Sequence, residues 1–165
     1  MTTRTFVSWV QPVADRLREN RAQVIGFARS MPPDAWDRPS PLDGWTCKDI
    51  LAHIGGGNDR LFQQILRAVV SRQPLDPALF QIDTDGENAR GVEGRRDWAV
   101  EQVIAELEST GEDVQELLAG LREQDQELRH DQSPISLGQF LDIVYAEDHD
   151  LLHLAQLRTA MEGMS

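Results

Sequence analysis

Four stretches of this chain bring apolar residues back at every third or fourth position, and no run alternates apolar with polar residues as a half-buried strand does. That periodicity confines the chain to helices packed on helices. The first stretch predicts a helix from about Ser8 to Met31, with Pro12 near its start, a Ser8–Gln11 capping box and the "MPP" run closing it. A second runs from Thr46, boxed with Asp49, to about Ser71, where "RQPLDP" stops it. The third spans Asp97 to Arg122 with Asp97 as its cap, and the fourth runs from Ser136, boxed with Gln139, to about Met161. Four helices of this length predict an all-α four-helix bundle. Residues 73 to 96, "QPLDPALFQIDTDGENARGVEGRR", form a long polar crossover between helices 2 and 3, the length at which loops act as lids or stay unstructured.

The 165 residues suit one domain, 1–165, built on a single core. Sixteen Lys and Arg against twenty-eight Asp and Glu leave a net charge of −12, which repels nucleic acid and anionic membrane surfaces. Apolar runs fall far short of the ~20 residues that span a bilayer, and the N-terminal residues lack a signal peptide's apolar centre, so a cytoplasmic protein is expected. The single cysteine, Cys47, has no partner for an internal disulfide and reads as a small packed residue at a helix start. Within the crossover, "DTDGEN" places its glycine too early after the aspartates for a calcium loop.

Two of the four histidines lie one turn apart in "EDHDLLHLAQ". On an unbroken helix 4, Asp142, Tyr145, His149, His153 and Gln156 share one line, flanked by Leu141, Val144, Leu152 and Ala155 on one side and by Ile143, Leu154 and Leu157 on the other. A polar stripe between apolar flanks points inward, where imidazoles need partners. Histidines at i and i+4 can converge on one metal ion, with a third ligand from a neighbouring helix, or they can hydrogen-bond to backbone or buried water. His53 is the available third ligand, and His130 reads as a surface residue. After His53 stands "GGG", Gly55 to Gly57, which weakens a helix by about 0.8–1 kcal/mol per glycine relative to alanine. Gly57, one turn on from His53, either clears space beside a ligand or admits a second helix, or it is a tolerated weakness.

"GWTCKDILAHI" and "HDLLHLAQL" together resemble the DinB/YfiT-like proteins, in which a tryptophan and a capped helix lead to the first metal histidine. The likeness runs along nearly the whole chain in helix order, crossover and histidine placement. It implies His53, His149 and His153 as ligands of a divalent ion, zinc or nickel. It implies a family of thiol-dependent S-transferases and a mycothiol-dependent maleylpyruvate isomerase, often paired as homodimers. In the isomerase pattern the middle ligand is a glutamate, whereas this chain has His149, which ranks transferase above isomerase. The expected activity is transfer of a low-molecular-weight thiol to an electrophilic small molecule. Tyr145 is then expected to orient substrate, and Asp142 and Gln156 to accept the outer N–H of the bound imidazoles or to act as buried hydrogen-bonding residues. A non-catalytic small-molecule binding protein and a metal-assisted hydrolase are the other readings of the same residues.

Overall fold

The computed structural model describes residues 4–42, 44–80, 83–129, 131, 133–146 and 148–162, including side chains except at 79, 80 and 144–146. It contains α1 (Gln11–Ser30), α2 (Cys47–His53), a π-helical turn (Ile54–Asn58), α3 (Asp59–Val70), α4 (Thr84–Glu93), α5 (Val100–Ala119), α6 (Leu137–Ala146) and α7 (His149–Glu162), with short 3-10 turns at Pro33–Ala35, Pro77–Phe80 and Glu123–Glu127. Among the described residues there is no strand, only isolated bridges joining Pro39 to Thr46 and Arg129 to Ser136. No described helix is long and apolar enough to cross a membrane.

Caps explain some of these boundaries. The Thr46–Asp49 box forms in both directions, at 3.2 Å from Asp49 N to Thr46 Oγ1 and 2.9 Å from Thr46 N to Asp49 Oδ2. The Ser136–Gln139 box also forms, at 2.9 and 3.3 Å. The other two expected caps do not form. Ser8 gives both its backbone N–H and its hydroxyl to Glu123 Oε1, so α1 starts three residues later, at Gln11, behind an uncapped Val10. The third helix begins at Val100 rather than Asp97, because Gln102 Oε1 accepts the Ala99 N–H and sets the first turn there.

Two expected helices are interrupted. The second passes through the π turn at the glycines, where the Asp59 N–H bonds back to Ile54 O, and the fourth breaks at Asp148, whose φ of 45° is left-handed. Asn20 Nδ2 donates to Asp148 Oδ1 at 3.1 Å and holds that break. The crossover is not a bare loop, for Asp83 accepts from the Gly86 N–H and starts α4.

The core has two apolar halves separated by a polar layer. Val24, Ala28, Ile50, Leu51, Ile54, Val103, Leu107, Leu154 and Leu157 fill one half. Val13, Leu17, Phe62, Leu66, Val114, Leu118, Leu137 and Leu141 fill the other. Between them, α1 contributes Arg21, α3 Asp59, α5 Thr110 and α7 Asp150, all buried. α1 and the α6–α7 pair run through the halves in one order, α2–α3 and α5 in the opposite order. Because α2–α3 and α5 share a direction, the chain between them must return along the molecule, and the crossover carrying α4 makes that return.

Candidate metal centre

His53 closes α2 and His149 opens α7, each beside an irregular piece of backbone, and His153 follows one turn later. The three rings converge by their Nε2 atoms, at 3.2 Å from His53 to His149 and 3.1 Å from His149 to His153. His53 and His153 are buried, and the His149 side chain is 25% exposed. Trp45, from the loop before α2, lays its ring 5.1 Å from that of His53.

His153 Nδ1 bonds to Gln156 Oε1 at 2.7 Å, which puts its proton on Nδ1 and leaves Nε2 bare. With that tautomer fixed, no proton placement on three neutral rings gives both Nε2 contacts their own linear hydrogen bond, so at least one of the two contacts is left without one. A cation that accepts all three Nε2 lone pairs satisfies both contacts at once. An ion about 2.0–2.1 Å from each nitrogen in near-tetrahedral geometry spreads its ligands about 3.3 Å apart, close to the spacing here. The three side chains therefore form a donor set able to hold a metal ion.

Electrostatics keep His53 and His153 neutral. Burial, and then the neighbouring His153 and His149 rings, push His53 down to about 3, with the Asn88 side chain opposing in part. Burial and His149 push His153 down to about 4. Neutral imidazole is the form that binds metal.

Beneath the histidines lies the polar layer, which periodicity did not bring out. Arg21 donates Nη1 and Nη2 to the two Asp59 oxygens at 2.8 and 3.0 Å, Nε to Asp150 Oδ2 at 2.6 Å and Nη1 to Leu107 O at 3.0 Å. Burial alone would raise the Asp150 carboxyl, yet Arg21 and the adjoining His149 hold it down to about 2. One cation against two carboxylates leaves this layer with a formal charge of −1 next to the place where a cation fits. A signal for it existed in sequence, since Arg21 interrupts the apolar series Val13, Leu17, Val24, Ala28 on α1.

The glycines serve close approach. A Cβ on Gly55 would stand 3.3 Å from Leu107 Cα of α5, and one on Gly91 of α4 would stand 3.2 Å from both Cα and N of Gly57. A second helix thus seats backbone to backbone beside His53, the helix-approach role among those open for Gly57.

Other expected residues fall differently. Asp142 is exposed on α6 and does not join the histidines, because the break at Asp148 ends the single helical line. Ile143 and Leu152, expected as inward flanks, are 52% and 56% exposed for the same reason. Tyr145 lies on α6 with its side chain outside the described residues, as His130 lies outside them altogether. Cys47 is fully buried in the apolar half around Ile50, and burial raises its thiol, which fits a packing residue.

A family model described as the mycothiol maleylpyruvate isomerase N-terminal domain matches residues 17–147. No curated protein and no solved structure matches the chain. The matched residues include His53 and end two short of His149, so the ligand pair on α7 rests on geometry alone. On a match covering most of its length, the chain belongs to the mycothiol maleylpyruvate isomerase N-terminal domain family of the DinB/YfiT-like superfamily.

Proposed function

We propose that this protein holds one divalent ion, zinc or nickel, on His53, His149 and His153 and joins a low-molecular-weight thiol to an electrophilic small molecule. The convergence of three Nε2 atoms at 3.1 and 3.2 Å supports this reading most directly. The family description, which names mycothiol, favours the thiol as cosubstrate. A divalent ion on neutral ligands keeps its charge and favours the thiolate form of a nearby thiol at neutral pH. The chain's own residues prepare for this. Burial keeps the His53 and His153 imidazoles unprotonated, Gln156 directs the His153 lone pair inward, and Trp45 shields one side of His53. A carbon–sulfur bond forms as the electrophile's leaving group departs, and the thiol proton goes to solvent. Tyr145 is proposed to orient the substrate. We take α2–α3 and α6–α7 as interrupted rods of a DinB-like four-helix bundle, acting as a cytoplasmic homodimer.

Thiol-transfer assays on the metal-loaded chain, with mycothiol and other cellular thiols and a chloro-dinitrobenzene as electrophile, test the reading. Turnover should disappear on chelation and in His149→Ala. Turnover that survives complete metal removal contradicts the mechanism, and tight metal binding without turnover on any thiol makes the protein a binder.

A further inference from the structure

His153 has its outer nitrogen engaged by Gln156, whereas Nδ1 of His53 and Nδ1 of His149 are buried with no hydrogen-bond partner. Buried ring nitrogens left this way carry a cost, and metal-bound imidazoles generally give the outer N–H to an oxygen that fixes the tautomer. One oxygen stands near each. Asn88 of α4 and His53 face the same spot, for a Cβ on Gly57 would lie 3.2 Å from Asn88 Oδ1 and 3.5 Å from His53 Nδ1. Asp150 Oδ1 lies 3.9 Å from His149 Nδ1 and makes only a long 3.3 Å contact with Arg21, whose short bond goes to the other carboxylate oxygen.

We propose that Asn88 and Asp150 are the positioning partners of His53 and His149, accepting their Nδ1–H groups as Gln156 accepts that of His153, so that all three Nε2 lone pairs meet at one point. The inference rests on the metal reading above and extends it to residues outside the ligand set. It gives the crossover a task. α4 docks through the Gly91–Gly57 contact and is clamped by Arg95, which bonds Gly91 O at 2.8 Å and pairs with Glu106 of α5. The crossover helix then delivers Asn88 to the site. It also gives the buried Arg21 a task, since its grip on Asp150 aims that carboxylate beside His149.

Two measurements on the full chain test it. Imidazole nitrogen NMR of the chelator-treated protein reads the tautomers without any ion, and all three rings should carry the proton on Nδ1. Zinc competition against a chromophoric chelator then reads affinity. Asn88→Ala and Asp150→Asn should each weaken zinc about 10- to 100-fold, and Asn88→Asp should stay within a few-fold of wild type. Asp59→Asn removes an equal charge from the same Arg21 without touching His149 and should weaken zinc less than Asp150→Asn. Protons on Nε2 of His53 or His149, or wild-type zinc affinity in Asn88→Ala and Asp150→Asn, overturn the proposal. Equal loss in Asp59→Asn and Asp150→Asn overturns the Asp150 assignment in favour of bulk charge. Should wild type bind no zinc, the metal reading fails while the tautomers still decide the positioning roles.

Discussion

At the scale of single residues, the molecule spends polar groups where a helical protein ordinarily places leucine. Arg21 is 5% exposed and holds two carboxylates that would otherwise be buried without a counter-charge. Replacing it by methionine keeps much of the volume but strands Asp59 and Asp150, and removal of one partner from such a cluster costs about 3–5 kcal/mol. Chemical denaturation of Arg21→Met should show a loss of that order; under ~1 kcal/mol would mean that the polar layer does not hold the fold. The histidine pair was legible in sequence because spacing of i and i+4 is local information. Arg21 was not singled out, because its partners sit 38 and 129 residues away and a lone polar residue on an apolar stripe does not name them.

At the scale of elements, both helices that bear the histidines depart from regular geometry beside them. The π turn after His53 and the left-handed Asp148 before His149 are each held by specific contacts, the first by backbones packed at the glycines and the second by Asn20. Gly91→Ala places a methyl 3.2 Å from the Gly57 backbone, which cannot rotate away as a side chain can, so α4 must shift outward. Amide exchange across residues 84–93 should speed up and the melting temperature should fall, with a cost of about 1–3 kcal/mol. Unchanged protection would show that this contact does not seat α4. The long helices were readable from the 3.6-residue period and the Thr46 and Ser136 boxes. Their interruptions were not, since turning an unbroken helix at 100° per residue placed Asp142 with the histidines, whereas the break leaves it exposed. α4 is not legible in the sequence because its polar, glycine-containing residues resemble loop and its order comes from docking on the π turn.

At the scale of the whole molecule, the site's chemistry is coupled to stability through protons. His53 and His153 titrate at about 3 and 4 in the folded chain, against 6.5 unperturbed, mainly because burial disfavours their charged forms. The unfolded chain therefore binds more protons than the folded one between pH 6.5 and about 4, so stability is fully present above pH 6.5 and is lost as pH falls through that window. Each histidine contributes up to ~1.4 kcal/mol per pH unit there. Melting of the chelator-treated protein should drop steeply from pH 6.5 to 4.5 and change little between pH 7 and 8, and replacing His53 by glutamine should make the slope shallower. An unchanged slope in that variant would deny the buried neutral imidazole. The fold should remain helical without metal, since two apolar core halves persist.

Stoichiometric zinc titration of the chelator-treated chain decides whether one ion sits among the three imidazoles from α2 and α7. Wild type should take up one zinc per chain. His53→Ala, His149→Ala and His153→Ala should each bind at least ~100-fold more weakly while keeping a wild-type helical spectrum. A His53→Ala variant that still binds one zinc with wild-type affinity would show that the ion needs no ligand from α2 and that the three-histidine site is wrong.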